Sequence, residues 1–181
     1  YPAFHFIDID EVFSEQGFVK CFDIRNYYTS RCRISFKGIE LLAGVLQKVL
    51  HCFESAPKKV LVLDCDNTLW GGVVGELGLS GITLGSDGLG QAFSDIQRVA
   101  KRLSSQGVLL TLASKNNEID VFEVFAKHPG MQISKEDLVS WRINWQEKSE
   151  NIVAMASELD LGIDSFVFWD DNPLERAKMR L

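Results

Sequence analysis

Two aspartates, two positions apart, stand where an apolar run ends. Asp64 and Asp66 follow residues 60–63, and Cys65 lies between them. On an extended chain, residues two positions apart point to the same side, so these carboxylates are expected to lie close together. Like charges that close usually share a cation or a proton, whereas a thiol is a nucleophile of a different kind. The stretch therefore indicates carboxylate chemistry, thiol chemistry or both.

Four more polar residues stand at the ends of predicted elements farther along the chain. Ser114 follows one apolar run, Asp170 and Asp171 follow another, and Lys148 stands near the start of a helical pattern. Because ligands bind at the carboxyl ends of parallel strands, we expect Ser114, Asp170 and Asp171 at the same sheet edge as the first two aspartates. Carboxylates suit Mg²⁺, a hydroxyl at a helix start can hold phosphate, and an ammonium can neutralise transferring oxygens. Each of these residues alone could be a helix cap or a solvated charge. Together, in this order along the chain, they indicate a functional site more specifically.

The elements that must position these residues alternate between strand and helix. Strands are predicted over 60–63, 108–113, 138–141 and 166–169, and helices over 91–105, from 117 until 128, over 150–159 and from 172 onward. This order predicts an α/β fold, a Rossmann-like parallel sheet with helices on both faces. Glycines in the segment 71–75 predict a turn and a short hairpin.

Residues 1–57 form a distinct N-terminal segment. It carries a predicted short strand at 4–7 and a helix over 38–53 with a wide apolar stripe. We therefore divide the chain into an N-terminal extension, residues 1–57, and a catalytic domain, residues 58–181. The start at Tyr1 rather than Met indicates a fragment, and the last helix has barely begun at Leu181, so we expect the domain to continue beyond it.

Composition limits the classes of function. The chain has 181 residues, of which 46% are hydrophobic and 24% charged, as is ordinary for a soluble globular domain. The net charge of −6 argues against a broad nucleic-acid or membrane surface, and no apolar run is long enough to span a bilayer. The 4 cysteines form no C-x-x-C pair, so no zinc site is expected. Reduced thiols and the lack of a signal peptide favour a cytoplasmic location.

The motifs resemble those of the haloacid dehalogenase (HAD) superfamily. The resemblance spans about residues 58–176 and rests on Asp64-x-Asp66-x-Thr68, Ser114, Lys148 and Asp170-Asp171. It implies that Asp64 is a nucleophile that attacks phosphorus and that Asp66 is a general acid/base. It also implies that Mg²⁺ is bound by Asp64, by the backbone carbonyl of Asp66 and by Asp171, with Asp170 behind Asp171 or acting through water.

A narrower resemblance is to the FkbH-like branch of that superfamily. It rests on residues 64–76, 113–117, 127–131, 141–145 and 170–176, and it extends over the N-terminal segment. Members of this branch remove phosphate from 1,3-bisphosphoglycerate and pass the glyceryl group to the phosphopantetheine thiol of an acyl carrier protein in polyketide biosynthesis. The resemblance implies that this chain does the same and that Cys65 holds the acyl group.

Cys65 separates two possible functions. A thiolate that attacks an acyl phosphate would expel phosphate and leave a thioester, from which transfer to a carrier thiol is nearly balanced in energy. In a regular strand, however, Cys65 points away from Asp64 and Asp66, and neighbouring carboxylates raise the pKa of its thiol. The alternative is a Mg²⁺-dependent phosphatase for a small ester or a phosphoprotein, with Cys65 inert. A non-enzymatic docking module is a third possibility, against which the complete motif set counts.

Substrate contacts and access complete the expectations. Phosphate or substrate contacts are expected from Ser114, Lys115, Asn116, Trp70 and Gly71. Only a short flap, residues 70–84, and single helices occupy the intervals in which related phosphatases carry a lid, so the site is expected to be capless. An open site suits a substrate that a large partner presents, such as a carrier-protein arm or a phosphoprotein.

Overall fold

The computed structural model describes residues 7–54 and 56–179. By its internal contacts the chain divides into two units, Tyr1–Ala56 and Pro57–Leu181. Of the strand predicted at 4–7, residues 4–6 lie outside the described part, and Ile7 belongs to no helix or strand. None of the described helices combines the length and the apolar composition that a bilayer crossing requires.

The first unit consists mainly of helices. They are α1 (Ile9–Ser14), α2 (Phe18–Cys21), α3 (Ile24–Ser30) and α4 (Phe36–Glu54). The Asp8 carboxylate begins α1 because it accepts hydrogen bonds from the backbone N–H groups of Asp10 and Glu11. Phe13 of α1 and Cys21 of α2 are buried. The helix predicted over 38–53 is α4, and the three shorter helices are additions to the sequence prediction.

The second unit is built on four parallel strands. They are β1 (Val60–Leu63), β2 (Leu109–Ser114), β3 (Leu138–Ile143) and β4 (Phe166–Trp169), in the spatial order β3-β2-β1-β4. The helices are α5 (Val74–Leu77), α6 (Gly88–Ser105), α7 (Glu118–Lys127), α8 (Lys148–Glu158) and α9 (Pro173–Lys178). In register, Leu63 at the end of β1 lies opposite Leu112 and Trp169. The predicted α/β fold with a parallel sheet is confirmed.

Alternation along β1 divides the core between the two faces of the sheet. Leu61 and Leu63 pack on one face with residues of α6 and α7. Val60 and Val62 pack on the other face with residues of α8. All four residues of β1 are buried, as a strand covered on both faces requires. Helices on both faces of the sheet are therefore confirmed as well.

The segment after β1 differs from the predicted turn and hairpin. It contains the one-turn helix α5, and an antiparallel bridge joins Gly71 to Thr83. The helix forms because the Val74 N–H donates to the Asp66 carboxylate at 3.1 Å and not to a strand partner. Gly72, with φ 94°, supplies the left-handed backbone that leads into α5.

The intervals between the strands contain single helices and short turns. α5 and α6 connect β1 to β2, and α7 with a 3₁₀ turn (Lys135–Asp137) connects β2 to β3. Within the described residues, this unit therefore has no separate lid domain, in agreement with the capless prediction.

Candidate functional site

The carboxyl edge of the sheet carries a cavity of about 210 Å³. Its walls are formed by Asp64, Asp66, Asn67, Ser114, Lys115, Lys148, Asp171, Asn172 and Glu175. Asp64 directly follows β1, Ser114 ends β2 and Lys148 begins α8. These segments meet because parallel strands end at the same edge of a sheet. The residues of the four sequence motifs are thus brought together at this edge.

A buried lysine joins two carboxylates at the site. Lys148 Nζ lies 2.9 Å from Asp64 Oδ1 and 2.5 Å from Asp170 Oδ2. Burial alone would lower the pKa of Lys148, but the two carboxylates outweigh burial and raise that pKa, so the lysine stays charged. Burial raises the pKa of Asp64, and the charge of Lys148 opposes this shift. The cluster therefore holds an ammonium against the carboxylate expected to react.

Three carboxylates form a group that could hold a metal ion. Ligand oxygens of Asp64, Asp170 and Asp171 lie within 4.8 Å of one another. Both Asp170 oxygens are engaged, Oδ2 by Lys148 and Oδ1 by the Asn172 N–H at 2.7 Å. Asp171 is exposed, and within the described part of the chain no donor reaches its carboxylate. Asp171 can therefore ligate directly while Asp170 acts behind it, and this oxygen-only donor set fits a hard cation such as Mg²⁺.

The Asp66 carboxylate is held by three neutral donors. Its Oδ1 accepts from Trp70 Nε1 at 2.9 Å and from the Val74 N–H at 3.1 Å, and its Oδ2 accepts from Asn116 Nδ2 at 2.8 Å. Burial raises the pKa of Asp66, and these hydrogen bonds oppose the shift. The side chain of Asp66 is therefore not one of the three clustered carboxylates, which leaves its backbone carbonyl as the atom that the sequence resemblance assigns to the metal.

Cys65 packs in the core and does not line the cavity. Its side chain is fully buried and packs in the same core cluster as Leu61 and Leu63, as strand alternation predicts. Burial raises the pKa of the Cys65 thiol well above its usual range, and the charge of Asp64 adds to this shift. The chain already bends at Cys65, whose carbonyl accepts from the Thr68 and Leu69 N–H groups, but this bend leaves the thiol in the core and outside the cavity wall.

Trp70 and Gly71 do not line the cavity, contrary to their predicted role in substrate binding. Trp70 is fully buried, and its ring meets Phe125 edge-on with 6.3 Å between the ring centroids. Gly71 pairs with Thr83, and a Cβ added there would lie 2.8 Å from the Phe93 ring. An indole ring has a large apolar surface to bury, so the flap folds it into the core. Only the indole N–H points to the site, where it meets Asp66.

Lys115 and Asn116 reach the site in different ways. Lys115 lines the cavity and pairs with Glu147 at 3.1 Å and with Glu175 at 3.2 Å. The hydrogen bond to Glu147 is the largest influence that raises the pKa of Lys115. Asn116 is buried and donates to Asp66, and it is not a wall residue. A substrate would therefore compete with two carboxylates for Lys115 and would not contact Asn116.

Three wall residues were not predicted as site residues: Asn67, Asn172 and Glu175. Asn67 adopts left-handed backbone, which Asn tolerates, and its Oδ1 accepts from the Gly72 N–H at 2.8 Å. Asn172 accepts from the Leu174 N–H as the N-terminal cap of α9. Glu175, three residues after this cap, pairs with Lys115. In the sequence, the feature that could have identified Asn67 and Asn172 as site residues is their position next to the motif aspartates.

Fold and site together define an α/β domain with a lysine–carboxylate cluster at the carboxyl edge of a parallel sheet. The structure is similar to the crystal structure of the N-terminal part of the protein BF1531 from Bacteroides fragilis, which contains a phosphatase domain complexed with Mg. The TM-score is 0.84 at 34% sequence identity, and the match covers 99% of this chain. It covers 48% of the other chain, so this chain spans about half of that length. No protein-family profile and no curated protein sequence matches this chain.

Proposed function

We propose that this chain is a Mg²⁺-dependent phosphatase domain of the HAD type. The observation that carries the proposal is the cluster of Asp64, Lys148, Asp170 and Asp171, in which an exposed and a buried carboxylate share a cavity with a buried ammonium. The similar structure supports it, because that protein contains a phosphatase domain complexed with Mg. The matching sequence motifs name the reacting residue in such a site as Asp64.

The chain's own residues would act in two steps. Asp64 attacks the phosphorus atom, the bond to the leaving oxygen breaks, and Asp66 gives its proton to that oxygen. Asp66, now ionised, takes a proton from water, and the resulting hydroxide attacks phosphorus to release inorganic phosphate from Asp64. The Ser114 hydroxyl and Lys148 face the same cavity and can hold the phosphoryl oxygens. Mg²⁺, when bound by Asp64 and Asp171, would offset the negative charge of the phosphoryl group.

Removal of the metal ion tests the proposal directly. With p-nitrophenyl phosphate as substrate, we expect EDTA to abolish release of p-nitrophenol and added Mg²⁺ to restore it. Asp171→Asn weakens one ligand and is expected to raise the Mg²⁺ concentration for half-maximal activity by about 10- to 100-fold. The matched control is Asp164→Asn, at an exposed aspartate that precedes β4 and so lies at the opposite edge of the sheet. Full activity in EDTA would contradict the proposal.

Glyceryl transfer is the finer candidate function. It is favoured by the resemblance of the motifs and by the Ser114 hydroxyl, whose hydrogen bond with the Cys65 thiol opposes the rise in that thiol's pKa. The complete burial of Cys65 favours hydrolysis without a thiol intermediate. Transfer from 1,3-bisphosphoglycerate to a carrier protein would require the thiol to become accessible, since the acyl carbon must meet the sulfur.

The two functions differ in what Cys65→Ala changes. For the phosphatase we expect hydrolysis of p-nitrophenyl phosphate to stay within about threefold of wild type, because a small buried side chain is shortened outside the cavity. Intact-mass measurement after incubation with 1,3-bisphosphoglycerate and Mg²⁺ is expected to show no glyceryl adduct. Cys21→Ala is the matched control, since Cys21 is equally buried but in the first unit. An adduct on wild type that Cys65→Ala loses, with loading of a holo carrier, would establish glyceryl transfer instead.

A further inference from the structure

We infer that Trp70 and Asn116 are positioning residues that hold the Asp66 carboxylate in the direction that proton transfer requires. The inference rests on the proposed phosphatase function and adds to it the part of the chain that orients the acid/base. It gives the flap residue Trp70 a role that does not require contact with substrate.

The donors around Asp66 are unequally divided between its two oxygens. Oδ1 accepts two hydrogen bonds, from the Trp70 indole at 2.9 Å and from the Val74 N–H at 3.1 Å. Oδ2 accepts one, from Asn116 Nδ2 at 2.8 Å. Each carboxylate oxygen has about two lone-pair sites. Oδ1 is therefore saturated, and Oδ2 retains one open lone-pair site.

The orientation of the Asn116 amide follows from its neighbour. The Asn117 N–H donates to Asn116 Oδ1 at 2.9 Å, which identifies that atom as the amide oxygen. The amide nitrogen must then face Asp66, where it donates to Oδ2. Asn116 is 4% exposed, so water competes little for this donor.

Trp70 presents its N–H from inside the core. The side chain is fully buried, its ring packs against Phe125, and the carbonyl of the preceding Leu69 accepts from Gln97 Nε2 of α6 at 2.7 Å. A donor fixed in this way needs no reorganisation when the carboxylate changes charge. The indole therefore fixes the direction of the Asp66 carboxylate while remaining out of reach of any substrate in the cavity.

Acid catalysis matters most when the leaving oxygen is a poor leaving group. Phenyl phosphate needs a proton on its leaving oxygen far more than p-nitrophenyl phosphate does, and the two esters differ little in shape. If the Asp66 carboxylate loses its orientation, kcat/KM should therefore fall more for phenyl phosphate than for p-nitrophenyl phosphate. The ratio of the two kcat/KM values also cancels the fraction of protein that is folded, so a simple loss of stability leaves it unchanged.

The experiment compares these two esters in wild type, Trp70→Phe and Asn116→Ala with Mg²⁺ present. We expect each variant to raise the ratio of kcat/KM for p-nitrophenyl phosphate over phenyl phosphate by about tenfold, part of the 10²–10⁴ that acid–base catalysis contributes. Asp66→Asn removes the acid/base itself and therefore shows the largest increase in this ratio that loss of acid catalysis can produce.

Two control variants make the same changes elsewhere. Trp141→Phe also removes an indole hydrogen bond to a carboxylate, from Trp141 Nε1 to Glu118 at 3.1 Å, and Trp141 belongs to the same aromatic cluster through Phe122. Asn117→Ala changes the neighbour of Asn116 but keeps the backbone N–H that orients it. Both are expected to keep the wild-type ratio.

Equal losses of kcat/KM for the two esters in Trp70→Phe and Asn116→Ala would overturn the positioning role. If wild type hydrolyses neither ester, the proposed function fails and this inference fails with it.

Discussion

Asp64→Asn is expected to abolish phosphate release. The amide cannot attack phosphorus or form an acyl phosphate, so we expect a loss in kcat/KM on the order of 10⁴-fold or more, as at other enzymatic nucleophiles. The fold should remain, because burial raises the pKa of Asp64 and the folded protein therefore disfavours the charge of that carboxylate. A neutral amide removes this penalty, while Lys148 keeps Asp170 as its partner.

Mass spectrometry separates loss of the nucleophile from loss of structure. After an acid quench, wild type with p-nitrophenyl phosphate and Mg²⁺ is expected to carry a phosphoryl group that Asp64→Asn lacks, while circular dichroism stays the same. Asp164→Asn again serves as the control, with the same substitution at an exposed site. A phosphoryl group on Asp64→Asn, together with hydrolysis near the wild-type rate, would remove Asp64 from the nucleophile's role.

The positions of the strands and of the motif residues could be predicted because both follow from simple rules. Apolar runs bounded by polar residues mark buried parallel strands, and their carboxyl ends must share an edge. Asp64, Ser114 and Lys148 therefore meet although their positions in the chain are far apart. Alternation along β1 likewise predicted that Cys65 would lie opposite Asp64, and its thiol is in the core.

The flap could not be predicted because its structure depends on a hydrogen bond between residues that are eight positions apart in the sequence. The segment from Gly71 to Gly75 is compatible with a hairpin, and α5 forms there because Asp66 accepts the Val74 N–H. The same carboxylate accepts from the Trp70 indole, whose ring packs in the core and not in the cavity. Glu175 shows the same limitation, since a charged partner across the site, Lys115, competes with the local cap. Competition of this kind has no signature in the periodicity of a sequence.

Lys148→Met is expected to destabilise the domain as well as inactivate it. The change removes a buried cation and leaves the Asp64 and Asp170 carboxylates, 8% and 0% exposed, without their shared partner. Breaking a buried pair by deleting one partner typically costs about 3–5 kcal/mol. Met has nearly the shape of the lysine stem, so the loss reports on charge and not on packing. Lys178→Met is the control, because Lys178 is exposed and an exposed ion pair such as the one that it forms with Glu147 contributes little to stability.

Two further measurements separate a charge effect from a packing effect in Lys148→Met. Without Lys148, which lowers the pKa of Asp64, that pKa rises further, so the folded variant holds protons that the unfolded chain releases. Its stability in urea is therefore expected to fall as pH rises from about 5 to 8 more steeply than that of wild type. Mg²⁺ should stabilise the variant more than it stabilises wild type, since the bound cation takes over the charge that the lysine supplied. A loss of stability that neither pH nor Mg²⁺ changes would mean that Lys148 matters here for packing alone.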